Sequence, residues 1–332
     1  MDGSTTDSSL PLRLQIAAVA VSGGANHTLA IDDQHRLWVC GSNSNGQLGL
    51  DDLLESALGS APFNEQVHSV YAGWNHSFLL DFAGRVYAAG DNSYGQLAGI
   101  AGAPFRQISG LPPIKLVACG LRHSLFLGID GSLWGTGCNR FGQLGLEGSA
   151  YQQATRLPFD HVDSIAAGQF HTVILTNGCI QMMGRNNHYQ LASKIDVKMS
   201  RTPTNVQISE RVTSISSGWN MTCALTASGK VYGWGRNNFG QLGLPPIAHV
   251  TKPTLVPDLI GSDVVKFGTE HGIALKGGEC WVFGWNEHGM CGLGHLELVP
   301  PTKLLIPGVS AIENVWTGCG NTFVSCTHIS NP

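Results

Sequence analysis

Apolar residues recur along this chain in short alternating runs at a nearly fixed interval. In one unit, Val162, Ile165 and their neighbours form an apolar stretch that stops at Gly168, and His171 to Leu175 then form a second run. Short alternating runs bounded by turn residues read as half-buried strands. A tight turn follows, Asn177-Gly178 here and Asp130-Gly131, Ser228-Gly229, Gly277-Gly278 and Ala83-Gly84 in other units. Asn-Gly and Asp-Gly tolerate positive φ at both central positions, which suits a type I′ hairpin. A third run, such as Leu37 to Cys40, Val86 to Ala89 or Val231 to Trp234, leads into a loop, a short fourth run and a Pro-containing connector. Four short strands per unit, here lettered A to D, predict the blade of a β-propeller.

The punctuation sets the number of units. Gly24, Gly73, Gly120, Gly168, Gly218, Gly268 and Gly318 each end an A run. Three residues later stand His27, His76, His123, His171, Met221, His271 and Asn321. Six loops of one design follow the C runs, among them GSNSNGQLG at 41–49, GCNRFGQLG at 137–145 and GWNEHGMCG at 284–292. Seven A–B segments but six C–D segments leave the chain two strands short of seven full blades. The expectation is an all-β, seven-bladed propeller of four-stranded blades over residues 11–328, between tails at 1–10 and 329–332. Either the blade joining the termini is incomplete or the chain is a shortened form, and only Pro11 to Ile16 could extend along the open edge.

Composition narrows the function. Apolar residues make up 42% of the 332, charged residues 13%, and 43 are Gly, a mix that suits an all-β protein rich in turns. Net charge is −4 and the 19 Lys and Arg are scattered, so no basic stripe exists to neutralise phosphates and nucleic-acid binding is not expected. Nine Cys without a CxxC pair indicate reduced thiols in the cytoplasm, with the nucleus as a second location. Cys280, Cys291 and His295 match no usual zinc spacing, so neither metal nor cofactor is expected. The run Ile16 to Val21 falls in register with the strands and lacks the cationic flank of a signal peptide. No run reaches the ~20 apolar residues needed to span a bilayer. The sequence therefore predicts a soluble monomer.

Repeated GxNxxGQLG together with GxxH[ST] resembles the regulator of chromosome condensation propeller family, over residues 18 to 326. The last full unit, GTEHGIALKGGECWVFGWNEHGMCGLG at 268–294, looks like the matching unit of the secretion-regulating guanine nucleotide exchange factors. It is also similar to the fungal alpha-tubulin suppressors, known too as killer-toxin-insensitivity proteins. The second resemblance implies a regulatory partner, a small zinc-binding diphthamide-biosynthesis protein acting in diphthamide formation and tRNA wobble-uridine modification. The first implies nucleotide exchange on, or binding of, a small Ran-like GTPase. Against exchange, the even spacing of the units leaves no room for an inserted wedge.

Five His at equivalent positions must form a ring and cannot converge on one substrate. They are read as structural, bonding backbone groups across the turn, and so is the Asn of each GxNxxGQ. Because strands A and C run the same way, the A–B and C–D loops emerge on one face. That face carries the non-repeating candidates for partner binding: Trp74, Arg122, Trp219, Glu270, Trp285, Glu287, His288 and Met290. Trp and Arg are enriched at binding hot spots. Glu270-His271 and Glu287-His288 are the only pairs that suggest acid–base chemistry. No motif positions a nucleophile and no Gly-rich phosphate loop precedes a helix, so the expectation is a protein-binding module without catalysis.

Overall fold

The alternating runs become strands at the expected places in the computed structural model, which describes residue 11 and residues 16–52, 56–193 and 197–326. Blade four shows the pattern: A is Ser164–Ala167, B is His171–Thr176, C is Cys179–Arg185 and D is Met199–Val206, joined as an antiparallel meander. The B–C turn is Asn177-Gly178, with φ of 52° and 78°, as a type I′ hairpin requires. Strand A lines the axis of the ring and strand D faces outward. Strand B is the most deeply buried, with all six residues of His123–Gly128 in blade three shielded from solvent. The core is a series of apolar layers between adjacent blades. One such layer sets Phe78, Leu80 and Val86 of blade two against Val117 and Phe126 of blade three.

Among the described residues six sheets hold four strands and a seventh holds two. The expectation of seven four-stranded blades is therefore corrected to six full blades and a partial seventh, strands A (Ile312–Thr317) and B (Thr322–Cys326). The physical cause is the absence of a seventh Gly-x-Asn loop to launch strands C and D. The ring closes nonetheless, at bare backbone. A Cβ placed on Gly318 would lie 2.7 Å from the Gly23 Cα, so two glycines facing each other bring blade seven against blade one. Both predicted tails, and residues 12–15 of the proposed edge segment, lie outside the described residues. Among the described residues no helix is long and apolar enough to cross a membrane.

With no strand C beside it among the described residues, strand B of blade seven is partly exposed along its whole length, unlike the B strands of the other blades. Its outward N–H and C=O groups form an open edge, and few buried contacts mean a low local opening energy. Amide exchange over 322–326 should run at least ~100-fold faster than over 123–128. Equal protection in the two strands would contradict the open seam.

Candidate functional site

The residues that obey the repeat build a collar around the axis. Each His ring packs beneath the glycine three positions before it; a Cβ on Gly168 would sit 2.0 Å from His171 Cε1 and 2.7 Å from the Gly218 carbonyl oxygen. The imidazoles point to the next blade instead of bonding backbone across their own turn, which corrects the expected role in detail. His27 Nε2 meets Ser77 Oγ at 2.9 Å, His123 Nε2 meets Thr172 Oγ1 at 3.3 Å, and His171 Nε2 meets Thr222 Oγ1 at 3.2 Å. The hydroxyl belongs to the residue after the next blade's His, or after Met221 in blade five, so Ser or Thr in GxxH[ST] is the far end of an interblade link. Where blade five has Met221 in place of His, blade six has Gly272 in place of the hydroxyl, and Phe283 fills the space a Cβ on Gly272 would enter. Burial holds the five imidazoles far below their ordinary value, His27 and His171 at about 3 and His76, His123 and His271 at about 4. Neutral, dry and distributed around a ring, they offer no common site for chemistry.

The C–D loops are equally structural. Asn139 Nδ2 donates to Leu146 O at 2.7 Å and Gly148 O at 3.1 Å, while its Oδ1 accepts the Leu144 N–H at 2.9 Å. In blades four and five the loop's Gln amide fastens it to the following blade. Gln190 Nε2 donates to Asn220 Oδ1 at 3.3 Å, and Gln241 Nε2 donates to Glu270. In blade four that receiving position is Phe170, and the buried Gln143 Nε2 has no partner. An unmade buried amide bond costs about 1–3 kcal/mol, so Phe170 stands there at the expense of the fold.

Among the predicted binding residues the structure makes a division. Trp74 of blade two and Trp219 of blade five meet over the axis with ring centroids 4.9 Å apart. Both line an axial cavity of about 130 Å³, together with Gly23, Cys119, Gly168 and Gly318. Arg122 lies over the Tyr94 ring at 4.0 Å. Trp285 stacks on Phe239 at 6.1 Å and meets the edge of His288 at 5.2 Å, and Glu287 and His288 are exposed. These six remain on the loop face.

Glu270 and Met290 do not, and both are corrections. Glu270 is 6% exposed and ion-paired to Arg236 at 2.9 Å, and desolvation raises its pKa against the pull of that guanidinium. It ties blade five to blade six. Met290 is 6% exposed and packs with Cys280, Cys291 and Leu304, a thioether filling the place of a Gln. The reading missed Tyr94, Phe141 and Arg185. Arg185 lies 5.1 Å from the Phe141 ring and 5.9 Å from that of Phe170. Departure from the repeat does not mark them all, since Arg185 shares its column with Arg236 and Phe141 shares its column with Phe239.

No described group of three or more His, Cys, Asp or Glu could hold a metal ion. Burial pushes the Cys280 and Cys291 thiols up to about 12. What the face offers is aromatic area, guanidinium donors and an axial depression, which is equipment for docking a macromolecule.

Comparison with known proteins agrees with this geometry. The family model described as the RCC1-like domain matches residues 3–326. The secretion-regulating guanine nucleotide exchange factor of Bos taurus is 33% identical over 341 residues, covering 90% of this chain and 73% of that protein. Human WBSCR16 superposes with a TM-score of 0.84 at 25% identity, covering 94% of this chain and 86% of that one. Prp20p of Saccharomyces cerevisiae superposes with a TM-score of 0.83 at 24% identity over 94% of this chain and 82% of its own, a likeness of fold alone. The chain belongs to the family of RCC1-like propellers.

Proposed function

We propose that this chain is a non-catalytic docking propeller that seats a protein partner on the face carrying its A–B and C–D loops. One observation carries this reading: the residues that depart from the repeat and stay accessible, Trp74, Arg122, Trp219, Trp285, Glu287 and His288, gather on that face. The residues that obey the repeat are spent on the collar.

The name of the Bos taurus relative, a guanine nucleotide exchange factor, supports a GTPase as the partner; our reading is a small Ran-like GTPase, bound with or without nucleotide exchange. The likeness of residues 268–294 to the fungal alpha-tubulin suppressors supports a small zinc-binding diphthamide-biosynthesis protein, in service of diphthamide formation and tRNA wobble-uridine modification. Affinity capture from cytoplasmic extract, with a nucleotide-release assay on Ran-like GTPases, separates the two. The docking reading predicts a captured partner that is lost at least ~10-fold in Trp285→Ala, the scale of a buried aromatic hot spot. Acceleration of nucleotide release would assign the GTPase, and a co-purifying zinc protein the other partner. Retention of every partner by Trp74→Ala, Trp285→Ala and Glu287→Lys alike would remove the face from consideration.

A further inference from the structure

Blades two to four bring three arginines and three aromatic rings together on the loop face. Arg122 covers Tyr94, Arg185 lies against both Phe141 and Phe170, Arg140 lies 5.9 Å from Phe141, and the two Phe rings are 5.0 Å apart. Four arginines elsewhere pair with carboxylates, Arg36 with Asp32, Arg85 with Asp81 and Glu65, Arg156 with Asp160 and Arg236 with Glu270, while Arg106 and Arg201 bond backbone carbonyls. Among the described residues no carboxylate pairs with Arg122, Arg140 or Arg185. Arg185 is oriented by the Asn187 side-chain oxygen at 2.8 and 3.0 Å. Asp91, on the same face, is held by the Ser93 N–H at 2.9 Å and Gln96 Nε2 at 3.1 Å.

A guanidinium lying on an aromatic ring is held in place with its donor edge free, and it is weakly hydrated. That is the arrangement that receives carboxylates in paired hydrogen bonds. A second observation is independent of charge. Phe170 displaces the acceptor that Asn220 and Glu270 supply in later blades and leaves Nε2 of the fully buried Gln143 without a partner. The interblade bond of Gln143 Nε2 is unmade where the Phe170 ring lies beside Arg185.

We propose that blades two to four form a carboxylate-binding arc that docks an acidic segment of a protein partner, a proposal resting on the docking face argued above. Three positive charges on one side of a chain whose net charge is −4 give it a local field opposite to its global one, which orients an acidic partner on approach. A nucleic-acid strand is disfavoured, because the arc is short and the rest of the chain repels phosphates.

The test uses the full chain, a fluorescein-labelled ten-residue polyglutamate peptide and an oligothymidylate of equal length, read by anisotropy at low and moderate salt. Arg122→Glu/Arg140→Glu/Arg185→Glu should lose at least ~10-fold in peptide affinity. Lys115→Glu/Arg211→Glu/Lys252→Glu, an equal charge change at exposed positions elsewhere, should stay within ~2-fold. Phe170→Asn should weaken the peptide while leaving the melting temperature equal or higher, since it restores an acceptor for Gln143. Equal losses in both triple variants, tighter binding of the oligothymidylate, or a fall in the melting temperature of Phe170→Asn would overturn the arc. If peptide binding survives the arc variant while Trp285→Ala still abolishes partner capture, the arc falls and the docking face stands.

Discussion

Acidification below pH 6 should unfold this propeller, with a midpoint between about pH 4.5 and 5.5. His27, His76, His123, His171 and His271 are buried and held at about 3 or 4 against an ordinary value of 6.5. Above pH 6.5 these imidazoles are neutral in both folded and unfolded chains, and their contribution to the pH dependence is flat. As pH falls through 6.5 the unfolded chain takes up protons that the folded chain cannot, so stability is lost. The loss continues until pH reaches the depressed folded values. Each imidazole contributes a slope of ~1.4 kcal/mol per pH unit inside that window, so five together approach ~7 kcal/mol per unit. A domain stable by some 5–15 kcal/mol cannot sustain that for two units. Near-ultraviolet circular dichroism against pH should show one steep transition, with roughly four to five protons taken up on unfolding. A melting temperature that does not move between pH 7 and pH 5 would mean the rings are not buried neutral.

The glycines of the collar should be the least replaceable residues in the chain. Gly168→Ala places a methyl 2.0 Å from His171 Cε1 and 2.7 Å from the Gly218 carbonyl oxygen, against its own ring and the backbone of the next blade at once. Gly120→Ala does the same, 2.2 Å from His123 and 2.9 Å from the Gly168 carbonyl oxygen. Neither neighbour can give way without moving a strand, so the cost should exceed the ~1–3 kcal/mol usual for overpacking. Gly168→Val should fail to yield soluble folded protein. Gly320→Ala is the control, since nothing lies within 4 Å of a Cβ there, and it should change stability by less than ~0.5 kcal/mol. Thermal melts of the three alanine variants check this; equal stability of Gly168→Ala and Gly320→Ala would contradict the collar.

The scaffold was legible because it is written as punctuation. Gly168, the Asn177-Gly178 turn and Asn186 each state a local backbone need, and repetition made the statement unambiguous. The missing C and D strands of blade seven could be counted from the loops alone. What the chain does with its departures was legible only in part. Glu270 read as an exposed acid because its acceptor role depends on Gln241 in the preceding blade, a relation that appears when the units are stacked side by side. Met290 breaks the repeat at a position that points into the core, and breaking a repeat does not say which way a side chain faces. Trp74 and Trp219 are distant in sequence, yet they occupy one column of the repeat, and equivalent positions of opposite blades converge on the axis. Arg122 is legible alone, but its arc with Arg140 and Arg185 is hidden in the scatter of basic residues along the sequence, which a ring folds back together.

The central claim, that recognition resides on the loop face while the repeat only builds the ring, is tested most directly by a hydrogen-exchange footprint of the captured partner on the intact chain. The account predicts slowed exchange across the A–B and C–D loops, including 74–75, 121–122, 140–142 and 285–289. Slowed exchange confined to the B–C turns on the opposite face, such as 82–85 and 129–132, would contradict it.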